Sequence, residues 1–228
     1  MSHFSVAVFS HTKDEVDSLM APFSEDVVAG SPYAVFTESN HSDIDETTGK
    51  KGYWSNPNGT WDWYVVGGRW SGLLKLLPGK TGISGYRNSQ EDDRPEDPDR
   101  CDIAYVRDCD YSPNQKAYDE ALRVWDVAVN GVPLTTEEKE RIPLLLFKRE
   151  YYIQQYGTRE NYAKSQSDFM TYAFVTAEGE WHETGRMGWW GFDDATMESR
   201  ETYRKEFEEY LRKAVDQNLI ITIVDCHI

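Results

Sequence analysis

His3, Asp225 and His227 stand at opposite ends of the chain, yet one antiparallel pairing would bring them together. In the closing segment LIITIVDCHI, Asp225 and His227 fall on one face of a strand, which Ile221 and Ile223 continue, while Cys226 points the other way. The opening segment HFSVAVFS starts on His3. If the two segments pair antiparallel, His3 meets the Asp225–His227 end. Two histidines and a carboxylate suit two chemistries: holding a divalent metal, or passing protons as an acid–base pair. Cys226 with a histidine would be a nucleophile. The same residues also fit a frayed terminal strand with polar tips.

A second group of residues is suited to binding. TWDWYVVGGRWSG, residues 60–72, sets Trp61, Trp63 and Trp70 beside Arg69 and two glycines. TGRMGWWG, residues 184–191, repeats the order glycine, arginine, tryptophan with Arg186, Trp189 and Trp190. An arginine forks onto carboxylate or phosphate, an indole stacks on a planar ring, and glycine lets a backbone come close to a ligand. Together they suit a small anionic, nucleotide-like molecule. The pattern also fits two tryptophan-rich hairpins packed on each other, their arginines bridging loops. Asn56 and Asn58, in SNPNGTWDW, are turn formers or donors to a ligand edge. Asp62 faces away from its flanking tryptophans and reads as the wet side of a strand. His182, in EWHET, is a further candidate beside the terminal histidines, although a lone strand histidine also suits a structural role. The phosphate-loop pattern GxxxxGK[ST] is absent.

The elements that must position these groups follow from periodicity. HFSVAVFS is strand-like. Thr12 and Glu15 have capping-box spacing ahead of a short helix through Val16, Leu19 and Met20, which Pro22 stops. YAVFTE reads as a strand and residues 38–59 as a polar loop. WDWYVV and GLLKLL, separated by Gly-Gly-Arg-Trp-Ser, read as a hairpin. Residues 88–100, rich in acids and proline, read as a mobile surface loop. Ala117, Tyr118, Ala121, Leu122, Trp125 and Val129 share a helical face, ended by Gly131. Thr135 with Glu138 opens a second helix that Pro143 interrupts, and Thr158 caps a third. DFMTYAFVT and EWHETG form a second hairpin around AEGE. Tyr203, Phe207, Tyr210, Leu211 and Ala214 mark the inner face of a long helix before the last strand. The expectation is a single α+β domain over 1–228: a mostly antiparallel or mixed sheet containing both terminal strands, with a helical insertion at 113–166.

The 228 residues carry a formal charge of −16, which repels phosphate backbones and disfavours nucleic-acid binding. No run approaches the roughly 20 apolar residues of a membrane span. The start lacks the basic and apolar regions of a secretory signal. Cys101, Cys109 and Cys226 lack CxxC spacing, which argues against a disulfide framework or structural zinc. The expected setting is reducing and cytoplasmic, with oligomeric state open.

MSHF, NPNGTWDWY, GGRWSG, MGWWG and the terminal VDCHI together resemble an uncharacterised group of bacteriophage and bacterial proteins. The resemblance covers both ends and the centre of the chain and carries no catalytic roles. It implies a host-cytoplasm protein that binds or processes a nucleotide signal in counter-defence. The other expectation is an acidic protein that blocks a host protein and needs no small ligand.

Overall fold

The structure is a computed structural model that describes residues 2–87, 97–141, 147–188 and 193–228. Trp189, Trp190, Pro143 and most of the expected acidic loop lie outside the described residues. In chain order the elements are β1 (His3–Ser10), α1 (Val16–Met20), β2 (Val35–Glu38), β3 (Gly52–Ser55), β4 (Trp63–Val66), β5 (Leu74–Lys75), β6 (Arg100–Cys101) and β7 (Ile103–Tyr105). There follow α2 (Gln115–Ala128), α3 (Glu138–Arg141), α4 (Arg149–Tyr156), α5 (Arg159–Ser167), β8 (Ala173–Val175), β9 (Trp181–Glu183), α6 (Met197–Asp216) and β10 (Ile220–His227). The chain divides into two compact units. One comprises Met1–Asp110, Thr171–Asp194 and Glu206–Ile228, the other Tyr111–Met170 and Ala195–Lys205.

The first unit is built on a mixed six-stranded sheet, ordered β4-β10-β1-β8-β9, with β7 also on β10. The fold class is α+β, and the terminal strands are neighbours. β1 and β10 pair antiparallel along their whole length, from His3 opposite His227 to Ser10 opposite Ile220. β8 joins β1 in parallel. The other edge of β10 is shared: β4 pairs with residues 224–227 and β7 with residues 220–222.

Alternation sorts the two faces. On one, Phe4, Val6, Val8, Val224 and Cys226 pack with Val16, Met20, Trp61, Ala173 and Val175. The opposite face changes character along its length. At one end Phe9 lies edge-on to Phe174 and Tyr210, with ring centroids 6.1 and 5.0 Å apart, and against Phe207. At the other end the same face carries Ser5, Asp225, His3 and His227. Each fully buried large apolar side chain contributes about 1.5–3 kcal/mol, so the aromatic end anchors the register that places the polar end.

Two sequence expectations are corrected. GLLKLL is not the return strand of a hairpin with WDWYVV. Its short β5 pairs instead with β6, Leu74 opposite Cys101. Residues 38–59 are not wholly loop, because β3 pairs with β2 there. Phe36 and Trp54 face each other across that pair at 5.3 Å, and the Trp54 indole N–H donates to Asp45 at 3.0 Å. The polar residues around one aromatic pair hid the strand.

The second unit is helical. Asn114 caps α2 by accepting from the Ala117 N–H, and Thr158 caps α5 by accepting from the Asn161 N–H. Trp125 packs with Tyr152 and Tyr162 at 6.2 and 6.0 Å. Arg159 forks onto Asp126, and Arg123 onto Glu138. Among the described residues, no helix is long and apolar enough to cross a membrane.

The buried acids of the first unit make its stability fall in alkali. Burial pushes the Cys101 thiol up to about 12, the Cys226 thiol well above the ordinary range and the Tyr210 phenol up to about 12. In each case folding favours the protonated form. The stabilisation is complete below the unfolded thiol value near 9 and is lost as the pH rises toward the folded values. Each group contributes a slope of up to about 1.4 kcal/mol per pH unit. Urea midpoints should be flat to about pH 9 and fall above it, with a shallower fall in Cys101→Ala. A midpoint unchanged to about pH 10.5 would contradict this.

Candidate functional site

The terminal pairing produces two histidine–aspartate dyads. His3 Nδ1 lies 2.8 Å from Asp225 Oδ1. His227 Nδ1 lies 2.7 and 3.0 Å from the two oxygens of Asp62. Because His3 and His227 are register partners, their rings meet edge to face, with centroids 4.9 Å apart. Trp63, opposite His227 on β4, stacks on that imidazole at 4.9 Å and 16° and meets the His3 ring edge-on. His3, Asp225 and His227 are largely enclosed, with side-chain exposures of 13%, 4% and 7%, while Asp62 is 36% exposed. A carboxylate on Nδ1 fixes the ring and aims Nε2 outward. Neither Nε2 has a partner among the described residues, and neither is a sealed buried atom.

The glycine-rich segment after β4 is shaped by two buried carboxylates rather than by a hairpin. Asp225 Oδ2 accepts the Arg69 N–H at 2.9 Å. Asp102, which has no exposed surface, accepts from the Gly72 N–H at 2.6 Å, the Gly85 N–H at 2.7 Å and the Ser71 hydroxyl at 3.2 Å. Between them the chain makes one turn of 3-10 helix, Gly68–Trp70. The glycines serve this approach. Gly67 and Gly68 have φ of +83° and +58°, and a Cβ on Gly68 would stand 2.4 Å from Asp225 Oδ2. The loop amides are spent internally: Gly67 N–H on the Ile223 carbonyl, Gly68 N–H on Tyr86, Trp70 N–H on Gly67. The backbone therefore comes close to the protein's own carboxylates, a role that the sequence reading assigned to a ligand.

The other expected site residues fall in two places, Trp63 and Arg69 beside the dyads and Asn58 and Arg186 in a separate groove. Arg69 is exposed, and its guanidinium has no partner among the described residues. Trp63 is 43% exposed and Trp70 is half-buried. Asn56 is consumed by the fold. Its amide donates to the Pro22 and Ser24 carbonyls at 2.8 Å, and its oxygen accepts the Asn58 N–H at 3.0 Å. Asn58 and Arg186 line a groove of about 460 Å³ that Arg69 does not line. The Ser2 hydroxyl donates to the Gly188 carbonyl at 3.2 Å, which ties the segment before Trp189 and Trp190 to the start of β1. His182 stacks on Phe174 at 4.5 Å and bonds Glu206, as a structural residue.

Cys226 is corrected as a nucleophile candidate. It has no exposed surface, faces the opposite side from the histidines and is held protonated by burial. Among the described residues no group of three or more His, Cys, Asp or Glu side chains is arranged to hold a metal ion.

Sequence reading missed Asp62 and Asp102. Asp62 sits just before β4, where strict alternation does not yet apply, so it turns to His227. Asp102 had a usable signal: a lone acid inside the apolar run CDIAYV. No family model, curated protein or solved structure matches the chain.

Proposed function

We propose that the paired dyads, Trp63 and Arg69 form a site that binds a small anionic, nucleotide-like molecule and processes it by acid–base catalysis at phosphorus. The observation that carries the reading is the contact between two imidazoles, each braced through Nδ1 by its own aspartate. One histidine takes the proton of an attacking hydroxyl or water as the new P–O bond forms. The other gives a proton to the departing oxygen as the old P–O bond breaks, so no net proton is consumed at the pair. Arg69, charged and unspent, meets the phosphate. The exposed part of Trp63 offers a platform for a base. With the resemblance to phage and bacterial proteins, this becomes a protein that acts on a nucleotide signal in a host cytoplasm, in counter-defence.

Arg69→Ala tests the binding half. Losing a charge-assisted contact should weaken affinity by roughly 30- to 150-fold, or about 2–3 kcal/mol. Because the side chain is exposed, folding stability should move by no more than about 0.5 kcal/mol. Titration with mono-, di- and cyclic nucleotides, read by calorimetry and by chromatography of products, measures both. If no nucleotide binds the wild type and no product forms, the reading fails. A second reading, an acidic blocker of a host protein, draws on the −16 charge and on the placement of Arg186 in a groove without Arg69. It requires Arg69→Ala to be silent toward every nucleotide.

A further inference from the structure

The groove beside β9 is separate in its residues from the histidine pair and has the features of a recognition site. Its volume, about 460 Å³, falls in the range of small-molecule pockets. Two aromatic rings line it, Phe23 and Trp181, whose centroids are 5.0 Å apart. Three polar side chains line it: Glu183, which is half-buried, and Arg186 and Asn58, which are exposed. Glu183 accepts the Trp181 indole N–H on Oε2 at 3.0 Å, and its other oxygen has no partner among the described residues. The Arg186 guanidinium and the Asn58 side-chain amide also have none there. Glu183 and Arg186 make no direct ion pair but lie within reach of each other's charge, and Asp194, which accepts the Arg186 backbone N–H at 2.7 Å, also acts on Glu183.

We propose that this groove binds a guanine-type purine base, with Glu183 on its donor edge, Arg186 on its acceptor edge and Trp181 with Phe23 against its ring. Guanine suits this pair because N1–H and the 2-amino group form adjacent donors that one carboxylate accepts together. O6 and N7 form the acceptor pair that an arginine fork meets. Adenine lacks the adjacent donors. A simple cation would satisfy Glu183 and leave Arg186 opposed. Burial pushes the Glu183 carboxyl above its ordinary range, with Arg186 acting against that shift. A poorly hydrated carboxylate of this kind gains most from a pair of donors.

The probe is guanosine, which carries no phosphate and so needs neither Arg69 nor proton transfer; loss of binding in the groove variants separates this site from the Trp63 platform. Isothermal titration of the whole protein should show guanosine binding at about millimolar concentration or below, and adenosine about tenfold weaker or worse. Glu183→Gln keeps the shape and can still accept from Trp181, but it puts an amide against the base's donors. It should lose about tenfold or more in guanosine affinity, as should Arg186→Ala. Glu46→Gln, an exposed carboxylate that lines no part of the groove, should bind guanosine like the wild type, and circular dichroism should show every variant folded. The proposal is overturned if guanosine gives no heat at about 1 mM or if adenosine binds equally. Unchanged binding by both groove variants overturns it too. Free arginine binding more tightly than guanosine, and lost in Glu183→Gln, would mark a cation site and also overturn it.

Discussion

Asp102→Ala is expected to cost about 2–4 kcal/mol of folding stability. Asp102 has no exposed surface, and its carboxylate is the acceptor for two glycine amides and a serine hydroxyl. Alanine leaves those amides facing a void. A donor stripped of its partner away from water costs about 1–3 kcal/mol, and a carboxylate acceptor makes each bond stronger than a neutral one. Gly72 and Gly85 are only half-buried, so water recovers part of the loss. The backbone around Asp102 is equally committed, its N–H to the Ile83 carbonyl and its carbonyl to the Ile223 N–H on β10. A frayed loop should therefore weaken the sheet edge as well. Urea unfolding should show a lower midpoint at an unchanged slope, and the melting temperature should fall by roughly 4–16 °C for a chain of this size. Asp102→Asn should recover little, because its amide group turns two donors toward each other. A loss below about 1 kcal/mol in Asp102→Ala would mean that the loop does not depend on this carboxylate.

The contrast between what was readable and what was not follows the same division. That both terminal segments are strands of one sheet was legible because each is apolar on both faces along most of its length, while their mutual pairing was legible only as a conditional. Alternation puts Asp225 and His227 on one face of β10, and the pairing with β1 adds His3 to it. The glycine–arginine–tryptophan segment could not be read as well. Two glycines between apolar runs are the local signature of a hairpin, but the turn here is decided by Asp102 and Asp225, far away in sequence. A loop that answers to distant carboxylates carries no local pattern of its own. Asp62 escaped for a related reason: one residue outside a strand, the period of two no longer says where a side chain points. The lone acids of CDIAYV and VDCHI were legible in principle, because an acid inside an apolar strand must find donors or a histidine.

His3→Ala and His227→Ala should each lower turnover of a nucleotide phosphodiester by about 10²- to 10⁴-fold, the usual contribution of a positioned acid or base. The double variant should fall little further than the worse single one, because groups that act as a unit are not additive. Two controls separate chemistry from folding. Asp62→Asn keeps the size of the side chain, and Asp62 is the more exposed of the two aspartates, with 36% of its side chain accessible against 4% for Asp225. It should therefore reduce turnover while leaving the melting temperature nearly unchanged. The second control is the leaving group. An ester of p-nitrophenol departs without a proton, so the variant that lacks the general acid should regain most of its rate on that substrate, and the variant that lacks the base should not. The histidine whose loss is rescued is thereby assigned as the acid. If both single variants keep their rate within about threefold on alkyl and aryl esters alike, the imidazoles are braced for structure alone. The dyads would then fasten the ends of the two central strands rather than carry out a reaction.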